Sequence, residues 1–117
     1  MKILLGSGGI RTEERRNLFF NLMKENFEGC KKVIFIPYAS RDYDEYTNSV
    51  KEMFSHLEFE IIGIHELDNP LVELEKMEGI YVGGGNTFSL VQKLHEKEII
   101  EVIRRKVLNN GIPYAGV

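Results

Sequence analysis

Gly79-Ile80-Tyr81-Val82-Gly83-Gly84-Gly85-Asn86-Thr87-Phe88 decides the reading of this chain. A short β-branched and aromatic run stops at three successive glycines, and an apolar-periodic segment, Phe88, Leu90, Val91 and Leu94, follows. That pattern predicts a strand, a tight turn and a helix start. Glycine permits positive φ and lets bare backbone approach a ligand. Asn86 is a favoured N-cap type, so the unpaired N–H groups of the next helix would face whatever lies beyond the strand. Two readings stay open. Gly83-Gly84-Gly85-Asn86 is only a tight turn, or the amides of Gly84, Gly85 or Asn86 form an anion or oxyanion site.

The same alternation runs outward in both directions. Upstream, Lys2 to Leu5 is a short apolar run ending in Gly6-Ser7-Gly8-Gly9. Thr12-Glu13-Glu14-Arg15 then opens a helix with Leu18, Phe19, Leu22, Met23 and Phe27 at helical spacing, closed by Gly29. Val33-Ile34-Phe35-Ile36 is a continuous apolar strand stopped by Pro37, of the kind covered on both faces. A second helix starts near Tyr43 with Tyr46, Val50, Met53, Phe54 and Leu57 on one face, and Phe59 to Ile64 is the third strand. Pro70 suits the first position of a short helix through Leu71, Leu74 and Met77. Downstream, Lys97 to Leu108 is a fifth helix, Asn109-Asn110-Gly111 ends it, and Ile112 to Val117 begins a fifth strand. Five alternations imply a single α/β domain over residues 1–117, a three-layer sandwich around a mainly parallel sheet. Ligands of such sheets bind beyond the carboxyl ends of the strands.

Composition excludes several classes. The 117 residues are 43% hydrophobic and 28% charged, with a net charge of −3, which gives no electrostatic reason to expect nucleic acid or an acidic membrane surface. No apolar run approaches the roughly 20 residues of a membrane helix, and no signal peptide is visible. The lone Cys30 cannot form an internal disulfide and reads as a small packing residue, so a cytoplasmic location is expected. No G-x-G-x-x-G fits, because the third glycine position holds Arg11 or Phe88, and no P-loop or metal-ligand pattern is present.

At the predicted carboxyl edge, Gly8 and Arg11 could hold a substrate carboxylate, as could Tyr38, Ser40 and Arg41 after the second strand. A flexible loop and a solvated turn are the plainer readings of the same residues. His56 and His95 read as surface positions. His65 lies at the correct edge, but sequence gives it no acidic partner. Tyr114-Ala115-Gly116-Val117 supplies a strand and the first two positions of a G-x-S-x-G elbow.

Ile34-Phe35-Ile36-Pro37-Tyr38-Ala39, Asp44-Glu45-Tyr46-Thr47, Gly63-Ile64-His65, the glycine stretch and Pro113-Tyr114-Ala115-Gly116 together resemble peptidase E, the aspartyl dipeptidases of the S51 serine peptidases. The match is closest from about Val33 onward. The resemblance implies a flavodoxin-like fold of the class I glutamine amidotransferase type, here truncated after the fifth strand as the N-terminal part of a peptidase E-like domain. It implies cleavage of dipeptides with N-terminal aspartate by a Ser-His-acid triad, with no metal or organic cofactor. Gly84 and Gly85, with Asn86 beside them, correspond to the glycine turn at the oxyanion hole. The nucleophile of the family's G-x-S-A-G elbow would fall one residue after Val117, with the histidine and acid later still. The alternative is an inactive module that binds a small anion at the turn. Such a module could instead associate through its open sheet edge, with itself or with a C-terminal fragment.

Overall fold

In the computed structural model, which describes residues 3–5 and 12–116, five parallel strands form one sheet in the order β1-β5-β4-β2-β3. The strands are β1 (Ile3–Leu5), β2 (Lys32–Ile36), β3 (Glu60–Gly63), β4 (Gly79–Val82) and β5 (Tyr114–Gly116). Between them run α1 (Glu13–Asn26), α2 (Tyr43–Met53), α3 (Pro70–Lys76), α4 (Thr87–Glu96) and α5 (Ile99–Arg104). The expected three-layer α/β architecture is present.

The central strand explains why the layers form. Val33, Ile34, Phe35 and Ile36 are each fully buried. Because successive side chains point to opposite faces, Val33 and Phe35 join one core with Met23 and Phe27 of α1 and Val50 of α2. Ile34 and Ile36 join a second core with Leu74 of α3 and Ile99 of α5. Burying each such side chain is worth about 1.5–3 kcal/mol, so one strand anchors both layers.

Strand order also fixes which helix covers which face. The connections β1→β2 and β2→β3 run one way across the sheet, and β3→β4 and β4→β5 run back. Crossovers of one hand that reverse direction must change face. Accordingly α1 and α2 pack on one side and α3, α4 and α5 on the other. The reversal falls between β2 and β4, which pair from Val33↔Gly79 to Ile36↔Val82. The carboxyl ends of these two strands are the topological switch point of the sheet.

Some local expectations need correction. Leu18 (57% exposed) and Leu22 (37% exposed) turn away from the core, and α1 packs through Phe19, Phe20, Met23 and Phe27 instead. Phe88 is 79% exposed. It precedes Leu90 by two residues, about 200° around a helix, so the two cannot share a face. Leu90 and Leu94 take the core side. The fifth helix is α-helical only to Arg104, and Arg105–Asn109 form a wider π turn. There Lys106, almost fully buried, donates from Nζ to the Glu75 carbonyl, and Arg105 pairs with the Glu75 carboxylate.

The glycine turn as a candidate functional site

Beyond Ile36 and Val82 the β2–β4 ladder does not stop. Gly83 N–H donates to the Ile36 carbonyl at 3.1 Å, and Asn86 N–H donates to the Ala39 carbonyl at 2.9 Å. The loop after β2 and the turn after β4 are thereby zipped together at the switch point. Gly85 has φ +144°, and a Cβ there would lie 2.6 Å from the Ala39 carbonyl oxygen. A Cβ at Gly83 would lie 2.6 Å from the Tyr46 hydroxyl and 2.8 Å from the Phe35 ring. Two of the three glycines are therefore required by contact, and Gly85 by conformation as well.

Asn86 caps α4 as its sequence position suggests, its Oδ1 accepting from Ser89 N–H at 3.1 Å. Its own amide is committed to Ala39, so the reading of Asn86 N–H as an anion donor is corrected: the hydrogen bond that closes the turn uses it. Gly84 is half-buried; burial raises the Tyr46 phenol beside this turn, and the Gly84 backbone opposes that shift. Gly85 N–H has no partner among the described residues, and the turn leaves this residue exposed. Among the three amides read from the sequence, this one belongs to an exposed glycine, while Gly84 is half-buried and Asn86 is bonded to Ala39.

The other named residues divide three ways. Gly8 and Arg11 lie outside the described residues. Tyr38 is only 2% exposed and packs in the second core, so the expected surface contact is a buried one. Burial pushes its phenol up to about 12, with the neighbouring Tyr43 adding to the shift. Its ring lies 5.4 Å from Tyr43, and Lys97 Nζ sits 5.8 Å from its centroid. Arg41 is exposed, with no hydrogen bond or ion pair among the described residues, and remains free to meet an anion. Ser40 Oγ accepts from Asp42 N–H at 3.3 Å and shapes the start of α2.

Sequence reasoning missed the partner of His65. His65 Nε2 lies 2.8 Å from Asp44 Oδ1, with the imidazole 17% exposed and its Nδ1 buried without a partner. The Tyr43 ring stands 5.8 Å away, edge to face. Topology offered a signal. In a β-α-β unit, the first turn of the helix and the end of the second strand both lie at the carboxyl edge. An acid opening α2 and a histidine ending β3 are thus placed at one rim. A hollow of about 380 Å³ lined by Glu101, Val102, Arg105 and Leu108 lies at the opposite end of the sheet, where the chain turns into β5.

Comparison with known proteins gives the chain a family. The model of peptidase family S51 matches residues 2–117, and the chain belongs to that family. A Drosophila melanogaster protein named as a probable alpha-aspartyl dipeptidase is 41% identical over 86 residues, 74% of this chain and 36% of its own length. Peptidase E of Haemophilus influenzae is 42% identical over 88 residues, 74% of this chain and 40% of its own. Peptidase E of Shewanella oneidensis is 44% identical over 89 residues, 74% of this chain and 37% of its own. The chain thus spans well under half the length of these relatives. Among solved structures, a Listeria monocytogenes EGD-e protein assigned to peptidase E superposes with a TM-score of 0.63 at 24% identity, covering 83% of this chain and 51% of that one. That likeness is one of fold.

Proposed function

We propose that these residues form the glycine-turn half of a serine-type dipeptidase site that hydrolyses peptides with N-terminal aspartate. One observation carries the reading. The switch-point turn leaves the Gly85 N–H at the carboxyl edge of the sheet without a partner among the described residues, while the Gly83 and Asn86 amides are spent on holding the turn there. A fixed amide aimed at a developing oxyanion is worth about 3–4 kcal/mol to the transition state.

In the peptidase E pattern the attacking serine follows a strand corresponding to Tyr114–Gly116, and β5 lies directly beside β4, with Val82 paired to Gly116. A serine just beyond β5 would therefore stand next to the glycine turn. Its hydroxyl would attack the peptide carbonyl while a histidine accepts the proton, and the carbonyl oxygen would swing against Gly85. In this reading the serine, histidine and acid are supplied from outside the residues described above. Aspartate selectivity calls for a cation, and Arg41, with Arg11, is assigned that role. The free edge of β1, where Leu5 is 75% exposed, supports association with another chain or segment at that side.

The test is hydrolysis of matched Asp-Leu and Ala-Leu dipeptides by the protein isolated from its source, with a fluorophosphonate label read by intact mass. Cleavage of Asp-Leu in preference to Ala-Leu, lost on labelling of one serine, is the expected result. A folded protein that releases no aspartate would overturn the peptidase reading. Replacing Arg11 and Arg41 together by alanine should raise KM for Asp-Leu and leave Ala-Leu unaffected. If the preference survives both replacements, the cation assignment is wrong.

A further inference from the structure

We propose that His65 is a positioning residue: through Asp44 it clamps the second end of the loop between β2 and α2, and so holds Arg41 in place to meet a substrate's aspartate. The proposal rests on the reading of Arg41 as the selectivity cation and adds a residue to it. The loop has two fixed ends. At the first, the Ala39 carbonyl accepts from Asn86 N–H at 2.9 Å, which ties it to the glycine turn. At the second, Asp44 Oδ1 accepts from His65 Nε2 at 2.8 Å, which ties it to the short turn Ile64–Glu66 that follows β3. A row of rings closes the base between them, Tyr38 lying 5.4 Å from Tyr43 and Tyr43 5.8 Å from His65. Within the loop, Asp42 N–H donates to Ser40 Oγ and Glu45 N–H donates to Asp42 Oδ1, so both neighbours of Arg41 are engaged. Arg41 itself is exposed, with no hydrogen bond or ion pair among the described residues.

The imidazole is built as a strut, not as a base. Its Nε2 proton is committed to Asp44, and its Nδ1 is buried without a hydrogen-bond partner among the described residues, out of a substrate's reach. The His65 side chain is 17% exposed and that of Asp44 83% exposed, so the ring is the fixed partner and the carboxylate the one it immobilises. Gly63 leaves room for this seat, because a Cβ there would lie 2.7 Å from the ring's Cε1. An arginine grips a carboxylate through two parallel N–H···O bonds, which demands orientation as well as charge. A loop loose at one end would spread the guanidinium over many positions and lose that match. The clamp therefore acts on the binding of an aspartyl substrate and leaves the chemistry of the peptide bond alone.

The experiment compares Asp44→Ala, which deletes the acceptor, with Asp44→Asn, which keeps an oxygen for His65. Glu45→Ala removes the other acid of the same helical turn and serves as the charge control. Backbone order is read by NMR relaxation on the 117-residue chain, and turnover of Asp-Leu and Ala-Leu on the protein from its source. Asp44→Ala should take the order parameter of the Arg41 amide from about 0.85 to below about 0.6, with the other two variants near the parent. It should raise KM for Asp-Leu by roughly threefold to tenfold, the size of one lost hydrogen bond, and leave its kcat and both constants for Ala-Leu alone. A merely structural contact would instead lower the melting temperature with the Asp-Leu preference intact. Unchanged order at Arg41 in Asp44→Ala overturns the clamp, and equal loosening in Glu45→Ala assigns the effect to charge and overturns it too. Loosening with the preference intact overturns its part in recognition. If the unaltered protein hydrolyses no dipeptide, the peptidase reading fails separately, and the relaxation result still decides the clamp.

Discussion

Gly85 shows how much one residue without a side chain can settle. Its positive φ bends the chain so that Asn86 can cap α4 and bond Ala39 at once. Gly29 makes the useful comparison: its φ is +87°, but a Cβ there would meet nothing within 4 Å. Gly29→Ala should therefore cost only backbone strain, about 1 kcal/mol in a urea titration. Gly85→Ala adds a clash with the Ala39 carbonyl and should cost about 1–3 kcal/mol more, with dipeptide turnover falling alongside. Equal costs at the two sites would mean that the turn relaxes freely around a methyl group.

At the scale of elements, the sequence was legible where chemistry is local. Strand runs, the Thr12 and Asn86 caps and Pro70 at the start of α3 all stand where spacing put them. Asn86→Ala should accordingly lower stability by about 1 kcal/mol by chemical denaturation. What spacing could not show was which of two apolar stripes a helix would bury. α1 and α4 each carry more hydrophobic residues than one face holds, and the sheet, not the helix, chose between Leu18 and Phe20, or Phe88 and Leu90. The candidate site was legible in the same measure. Three glycines announced a turn, but the acceptors of the Gly83 and Asn86 amides came from Ile36 and Ala39 on other segments. The tie between α2 and the end of β3 is another long-range fact. Glu66 accepts from Lys51 Nζ at 2.9 Å and from Gly63 N–H at 2.8 Å. The Lys51 hydrogen bond, ahead of the Gly63 one, holds the Glu66 carboxyl below its usual value of 4.5. A depressed carboxylate stabilises the fold above the unfolded value, and that contribution is lost as pH falls through the folded one. Glu66→Gln should flatten the dependence of the denaturation midpoint on pH below about 4.5 and leave its neutral-pH slope alone.

Across the whole molecule, tyrosines set the alkaline limit. Burial raises the phenols of Tyr38, Tyr46, Tyr81 and Tyr114, that of Tyr38 to about 12. An unfolded chain ionises them near 10 while the folded one does not, so the fold loses stability as pH climbs from 10 toward 12. Denaturation midpoints taken in steps across that interval should fall steadily, and less steeply in Tyr38→Phe. The position of β1 bears on a different matter, the order in which the sheet assembles. Ile3, Leu4 and Leu5 pair only with Tyr114, Ala115 and Gly116, while β2, β3 and β4 pair among themselves within the middle of the chain. Among the described strands, β1 has its neighbour in β5, far along the chain. It must wait, unpaired, while the interior strands assemble. Such contacts between distant chain segments form slowly. Pulse-labelled refolding should show β2 and β4 amides protected before those of β1 and β5, near partners closing ahead of distant ones.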